Sequence, residues 1–153
     1  SDVCSSDLTF LGIKETLPVV LLGLVIIFCV GIFGDLLLRL EGLETTSNQQ
    51  SVEEIVQAIP KGLILIFAGV IGPIFEEGIF RVGIQAFFKP ASKIGILVSS
   101  ILFALVHTPT DIGSFIIYWG MGLALSWVYL RTGRFEAAVL THFIWNVLGI
   151  LML

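Results

Sequence analysis

A chain of 153 residues in which 56% of the side chains are hydrophobic and only 13% are charged does not have the composition of a water-soluble domain, which carries about 25% charged residues. The net charge of -4, without a cluster of lysine and arginine, excludes nucleic-acid-binding proteins, because that class requires a basic surface. A helix needs about 20 apolar residues to cross a bilayer. The composition therefore predicts an all-α, polytopic bundle of about five transmembrane helices.

Residues 1–8 (SDVCSSDL) are predicted to be a non-native leader that resembles a translated sequencing adapter. They contain neither a basic segment nor an apolar core, so they do not form a signal peptide. Cys4 lies in this leader and Cys29 lies in an apolar run, and this spacing indicates neither a disulfide framework nor a thiolate metal site. We expect a chain with such a leader to lack native N-terminal helices.

Residues 9–54 are predicted to form the first transmembrane helix, from about Leu17 to Leu38, and an acidic loop. Pro18 is tolerated because it lies in the first helical turn. The loop contains Glu41, Glu44, Glu53 and Glu54. Ser51 and Glu54 have the spacing of a capping box, which predicts that the next helix opens there.

Residues 55–153 are predicted to form the functional core. The stretch from Val52 to Phe88 has a helical pattern, but its roughly 37 residues are too many for one straight span. We expect a bend or break at Gly72–Pro73, because proline removes a backbone hydrogen bond. Three further apolar segments are predicted as helices: Ile94–Val106, Ile112–Leu130 and Phe135–Leu153.

The distribution of cations predicts the topology. Two short loops carry Lys89, Lys93, Arg131 and Arg134, whereas the loop after the first helix is acidic. The positive-inside rule places the two basic loops in the cytoplasm. The N-terminus is then expected inside. We further expect the protein to be integral to a prokaryotic cytoplasmic membrane and surrounded by lipid.

Six polar side chains fall within or beside the apolar segments, namely Glu76, Glu77, Arg81, His107, His142 and Asn146. An ionisable group at the centre of a membrane helix costs at least about 2.5–3.5 kcal/mol, so each is a functional candidate. Counting about 1.5 Å per residue from the basic loops places four of them at roughly 12–21 Å, in one layer.

Spacings of four residues put side chains on one helix face. They predict that Glu77 pairs with Arg81, that His142 can pair with Asn146, and that Phe103 lies beside His107. Glu76 projects in another direction and is then available for chemistry with the histidines. The alternative is that these groups serve only packing, which is unfavourable because buried polar groups are costly.

Three motifs carry a resemblance to a known family. Glu76–Arg81 reads E-E-x-x-x-R, Phe103–His107 reads F-x-x-x-H, and His142–Asn146 reads H-x-x-x-N. In this order and in apolar segments, they resemble the motifs of the CPBP intramembrane proteases, the family of type II CAAX prenyl endopeptidases and bacteriocin-processing (Abi) proteins. The resemblance covers about Ile55 to the C-terminus. Family members often have more helices before the first motif, which agrees with a truncated N-terminus.

The resemblance implies an intramembrane endopeptidase that hydrolyses a membrane-associated protein or peptide, in CAAX-type, bacteriocin or leader processing. Glu76 would act as general base on a water molecule that His107 helps to hold. His142 and Asn146 would stabilise the oxyanion of the tetrahedral intermediate. No cofactor is then required. The residues expected to support this site structurally are Glu77, Arg81 and Phe103.

Other functions are compatible with the same residues. Family members have been described as metalloproteases, and Glu76, His107 and His142 could hold Zn²⁺ with one open position for water. We rank zinc second, because the chain contains no compact ligand motif such as HExxH. A bacteriocin immunity or scaffold protein of the same fold would not cleave at all. A transporter or proton relay also uses intramembrane Glu and His, but the chain contains no inverted repeat.

Overall fold

The computed structural model describes residues 12–88 and 92–153. Every regular element in these residues is helical. The predicted leader at residues 1–8 and the predicted cytoplasmic cation of Lys89 lie outside the described ranges. The helices are α1 (Ile13–Leu40), α2 (Ser47–Ala58), α3 (Lys61–Ile84), α4 (Lys93–Val106), α5 (Ile112–Thr132) and α6 (Phe135–Met152).

The predicted all-α, polytopic bundle is confirmed. Within the described residues, α1, α3, α5 and α6 are long and apolar enough to cross a membrane, and α4 is a shorter apolar helix of 14 residues. Large apolar side chains such as Phe28, Phe67 and Phe75 point outwards and are more than half exposed. An exposed apolar surface of this kind requires a partner, and for helices of this length lipid supplies it.

Helix α5 lies at the centre of the bundle and packs against α1, α4 and α6. Its contact with α1 is close because glycines face each other there: a Cβ atom at Gly113 would lie 2.9 Å from the carbonyl oxygen of Gly34. A Cβ atom at Gly122 would similarly lie 3.1 Å from the Cα atom of Ser100 on α4. Small residues allow membrane helices to approach closely, and the central helix α5 uses them on two sides.

The loop between α1 and α2 also anchors α5. The Glu41 carboxylate accepts hydrogen bonds from the backbone N–H groups of Ile112 and Gly113, both at 3.2 Å. Asp111 caps the same helix and accepts a bond from the Ser114 N–H at 2.6 Å. Partial burial acts to raise the pKa of Asp111, but the hydrogen bonds from Ser114 outweigh it and hold this pKa below its usual value. The carboxylates of Glu41 and Asp111 therefore accept hydrogen bonds from the free N–H groups at the N-terminus of α5.

The capping-box prediction at Ser51 is wrong. Helix α2 begins at Ser47, and its N-cap is Thr46, whose hydroxyl oxygen accepts a bond from the Gln49 N–H at 3.1 Å. Ser51 lies inside the helix, where its hydroxyl donates to the Ser47 carbonyl. Threonine is a good N-cap, so the helix starts at this earlier position.

At Gly72–Pro73, where a bend or break was predicted, the helix does not break. The long apolar stretch breaks at Ile59, whose backbone is extended, as the residue before a proline favours. Helix α3 then continues through Pro73, because it contains two π-helical segments, Leu65–Ile71 and Gly78–Ile84. A π turn widens the helix and shifts its hydrogen bonds by one residue, which accommodates the proline ring without a break.

Candidate active site

Three polar side chains from different helices converge at one point. Glu76 lies on α3, His107 directly follows α4, and His142 lies on α6. The Nε2 atoms of His107 and His142 lie 3.8 Å and 3.9 Å from the Glu76 Oε2 atom. These separations are too long for direct hydrogen bonds and short enough for a bridging water. The Glu76 Oε2 atom is buried and has no hydrogen-bond partner in the described structure.

Glu77 lies next to Glu76 but points into the bundle. Arg81 donates from Nε to the Glu77 Oε2 atom at 2.8 Å, which is the ion pair that the four-residue spacing predicts. The other oxygen, Oε1, lies 3.0 Å from the Nδ1 atom of His142. All three side chains are almost completely buried. Glu77 therefore joins Arg81 to His142, and only the first of these two contacts was predicted from the residue spacing.

Arg81 is held on two further sides. Its Nη1 atom donates to the Ser99 hydroxyl at 3.1 Å, and that hydroxyl donates to the Phe80 carbonyl at 2.6 Å. The guanidinium carbon lies 5.1 Å from the centroid of the Phe103 ring, within the range of a cation–π interaction. Phe103 is fully buried. The three residues that the sequence assigns to structural support therefore lie directly behind the site.

Both histidines have a defined hydrogen-bond partner at Nδ1. The His107 Nδ1 atom lies 2.7 Å from the carbonyl oxygen of Phe103, and a carbonyl only accepts, so Nδ1 must carry the proton. The His142 Nδ1 atom faces the Glu77 carboxylate, which also accepts. In the neutral forms, both Nε2 lone pairs therefore face Glu76. Three acceptors then meet at one point, and a proton donor such as a water molecule between them would satisfy them.

Asn146 does not pair with His142. Its Nδ2 atom donates to the carbonyl oxygen of Ala68 on α3 at 2.9 Å. The preceding backbone bond, from Gly72 N–H to Phe67 O, has the π-helical spacing of five residues. The next bond in this pattern would run from residue 73 to Ala68, but Pro73 has no N–H group. The Asn146 amide supplies the missing donor and is thereby held at the edge of the site.

A cavity of about 410 Å³ adjoins these residues and is bordered by Glu76, His107, His142 and Asn146. This volume lies within the usual range for ligand sites. Its walls are formed by Leu38, Met121 and Trp145, and the α1–α2 loop and the start of α2 add Thr46, Asn48 and Gln49. The cavity therefore combines an apolar wall with a polar border, next to an unpaired carboxylate oxygen.

The alternative zinc ligands were Glu76, His107 and His142. Zinc ligands about 2.0–2.1 Å from a tetrahedral ion lie about 3.3–3.4 Å from one another. The two Nε2–Oε2 separations, 3.8 Å and 3.9 Å, are wider. Across residues 12–88 and 92–153, no group of three His, Cys, Asp or Glu side chains is arranged to hold a metal ion. In this arrangement the residues do not fit zinc.

Comparison with known proteins gives one family. The family model described as type II CAAX prenyl endopeptidase Rce1-like matches residues 58–148, which include all three motifs. No solved structure gives a significant match to the chain.

Several curated bacterial proteins are similar to this chain over most of its length. It is 31% identical over 137 residues to the UPF0177 protein YvdC of Lactococcus lactis, covering 87% of the chain and 51% of the relative. A Bacillus subtilis protein named "Putative membrane peptidase YdiL" is 31% identical over 82% of the chain and 51% of the relative. The Staphylococcus aureus protein named "Membrane-embedded CAAX protease MroQ" is 31% identical over 69% of the chain and 44% of the relative. The chain thus spans about half the length of these relatives.

Proposed function

Because the chain belongs to the type II CAAX prenyl endopeptidase Rce1-like family, we propose that it is the core of an intramembrane endopeptidase. Its substrate is a protein or peptide associated with the membrane. The observation that carries this proposal is the Glu76 Oε2 atom, which lacks a hydrogen-bond partner, faces two histidines and borders a cavity. The names of two relatives, a membrane peptidase and a membrane-embedded CAAX protease, support it.

In the proposed reaction, Glu76 removes a proton from a water molecule while the water oxygen attacks the peptide carbonyl carbon. The second O–H group of that water donates to the free Nε2 atom of His107, which fixes the direction of attack. Glu76 then passes its proton to the nitrogen of the leaving amine as the carbon–nitrogen bond breaks. A positioned base typically contributes about 10²–10⁴ to the rate.

The oxyanion that forms on the carbonyl oxygen needs hydrogen-bond donors. Asn146 has two N–H groups and uses one for Ala68, so the second can donate to the oxyanion. His142 donates from Nε2 only as an imidazolium, since its Nδ1 proton is directed at Glu77. The Glu77 carboxylate stabilises that cation. Removing one oxyanion donor costs about 2.7–4 kcal/mol in a soluble protease of another class.

Replacing Glu76 by Gln tests the proposal. Glutamine preserves the volume but removes the base, so we expect cleavage to fall by about 10² or more while the protein still folds and inserts. The measurement is a comparison of new peptide N-termini in the membranes of cells that express either form at equal abundance. Glu54→Gln is the matched control, because Glu54 is an exposed carboxylate in α2, and it should cleave normally. Equal cleavage by both forms, above that of cells without the protein, would exclude Glu76 as the base. No cleavage above those cells by either form would leave the immunity or scaffold function as the better explanation.

We also propose that the protein lies in the cytoplasmic membrane with its N-terminus inside. Lys93, Arg131 and Arg134 lie at one end of the bundle, and the positive-inside rule assigns that end to the cytoplasm. The cavity is bordered by Thr46 and Asn48 at the acidic end and would then open towards the exterior. Tags in the α1–α2 loop should therefore be accessible from outside, and tags at Arg131–Arg134 should not.

A further inference from the structure

The His107 ring is stacked on a tyrosine that the sequence analysis did not assign to the site. The ring centroids of His107 and Tyr118 lie 4.4 Å apart, and the ring planes differ by only 13°. Tyr118 lies on the central helix α5 and is 9% exposed. His107 also contacts the Phe103 ring at 4.7 Å. The imidazole is therefore positioned by aromatic contacts as well as by its Nδ1 hydrogen bond.

The Tyr118 hydroxyl extends this contact to another part of the chain. It lies 2.9 Å from the Thr46 hydroxyl, and both groups are buried. Thr46 is the N-cap of α2 and borders the cavity together with Asn48 and Gln49. A continuous path therefore runs from the Thr46–Gln49 segment, through one hydrogen bond and one ring stack, to His107.

A second contact joins the same segment to the residue after His107. The Ser47 hydroxyl donates to the Thr108 carbonyl oxygen at 3.1 Å. Thr108 has a φ angle of +49°, in the left-handed region that β-branched residues rarely adopt. Such a conformation persists only where the surrounding structure holds it. The start of α2 thus contacts both Thr108, which directly follows the histidine, and Tyr118, whose ring is stacked on it.

We propose that Tyr118 is a positioning residue for His107, and that its hydroxyl couples the orientation of this histidine to the Thr46–Gln49 segment bordering the cavity. The proposal deepens the proposed function, since it assigns His107 an orientation that holds water beside Glu76. A peptide in the cavity would lie against the same segment. Its binding would then steady the imidazole before water attacks.

The orientation matters because imidazole has two unlike nitrogens. With Nδ1–H bonded to the Phe103 carbonyl, the lone pair of Nε2 faces Glu76. A change of tautomer would direct an Nε2–H group towards Glu76, and a ring flip would put the Cε1–H group in the place of Nε2. Either change removes the acceptor for water. The stack on Tyr118 opposes the flip, because a rotating imidazole would lose its parallel contact.

The composition of the chain offers a direct measurement, because it contains only two histidines. Selective ¹⁵N-histidine labelling gives two imidazole systems, which His107→Gln and His142→Gln assign. In the unaltered protein we expect one His107 species with the proton on Nδ1. In Tyr118→Leu we expect a second His107 species with the proton on Nε2, while the His142 signals remain in place.

The hydroxyl link is tested separately. Tyr118→Phe keeps the ring, so the Nδ1–H tautomer should persist, but the His107 signals should broaden. Thr46→Val should reproduce that broadening. Thr46→Ser retains a hydroxyl and should restore the sharp signals.

A matched control is Phe115→Leu, which removes a stacked ring from the same helix. The Phe115 ring lies 5.9 Å from that of Trp119, and its loss should leave both histidines unchanged. The proposal is overturned if Tyr118→Leu leaves His107 as one species, or if Phe115→Leu perturbs His107 equally. Should Tyr118→Leu fail to fold, unchanged His107 signals in both Tyr118→Phe and Thr46→Val overturn it. These signals do not depend on cleavage, so they remain informative even if Glu76→Gln proves fully functional.

Discussion

Glu76 and Glu77 are adjacent in the chain, yet their carboxylates have opposite surroundings. Both oxygens of Glu77 are engaged, one by Arg81 and one by His142, and its side chain is fully buried. The Glu76 Oε2 atom has no partner, and its side chain is 31% exposed beside the cavity. One carboxylate orients its neighbours, and the other keeps an acceptor free. The two side chains are chemically identical, so their different roles depend on the hydrogen-bond donors that the surrounding helices place beside each of them.

Removing Arg81 should break this contrast most strongly. Arg81→Ala leaves Glu77 buried without its cation, so we expect the free energy of unfolding to fall by about 3–5 kcal/mol, measured by denaturant unfolding in detergent. The control is Arg39→Ala, because Arg39 and Asp35 have the same spacing and the same 2.8 Å distance but are 69% and 45% exposed. That change should have little effect. An unaltered stability of Arg81→Ala would show that the pair does not stabilise the fold.

Asn146 combines the two roles that Glu76 and Glu77 divide. Its side chain donates a hydrogen bond to a backbone carbonyl, and it also borders the cavity. We expect Asn146→Ala to lower the cleavage rate by about 10²–10³, because it removes an oxyanion donor. It should also lower the stability by about 1–3 kcal/mol, because the Ala68 carbonyl loses its partner. Rate and unfolding measurements on the same preparation separate the two effects.

Pro73→Ala provides the partner experiment for Asn146. Alanine restores an N–H group that can bond to the Ala68 carbonyl, so in this background Asn146→Ala should cost less stability. A double-mutant cycle measures the difference. Additive stability losses would contradict the link between Pro73 and Asn146. The loss of rate should remain, since Pro73 supplies no donor to the oxyanion.

Glu77→Gln sharpens the contrast by removing the charge of Glu77 while preserving its volume. The amide oxygen can still accept from Arg81, but the NH2 group is a donor, so the side chain no longer stabilises a cationic histidine. We expect the cleavage rate to fall by about 10–100-fold, as for other residues that orient a functional ligand, and thus less than in Glu76→Gln. Losses in the reverse order would exchange the roles of the two glutamates.

Chelation is expected to have the smallest effect. The two Nε2–Oε2 separations are wider than those of tetrahedral zinc ligands, so a chelator should leave the activity of the purified protein unchanged. The test is incubation with a chelator followed by addition of Zn²⁺. Loss of activity that Zn²⁺ restores would favour the metalloprotease alternative.

The sequence alone predicted the helical bundle and the Glu77–Arg81 contact, because these depend on features within single segments. Apolar length indicates a membrane helix, and a spacing of four residues indicates a shared face. Counting at a fixed rise also placed Glu76, His107 and His142 in one layer. Their catalytic roles remain predictions.

The contacts between helices could not be predicted in this way. The Glu77–His142 and Asn146–Ala68 bonds depend on how α3 and α6 are rotated about their axes. The π-helical segments change that rotation in α3, and a count at 3.6 residues per turn does not include them. The Tyr118–His107 stack was not predicted either, because it also joins two different segments. Aromatic residues are common in membrane helices, and their spacing within one helix does not identify a partner on another.

The π-helical turns of α3 also bear on how changes in chain length are accommodated. A π turn holds one residue more than the α-helical pattern needs, so losing one residue there can restore an α-helical turn without unwinding the helix. Segment Gly72–Glu77 lies between two such turns, Leu65–Ile71 and Gly78–Ile84. A deletion in either flank can therefore be absorbed before it reaches the two glutamates. Single-residue gaps between related chains should fall within Leu65–Ile71 or after Arg81, and not between Gly72 and Arg81, where they would break the Glu77–Arg81 pair.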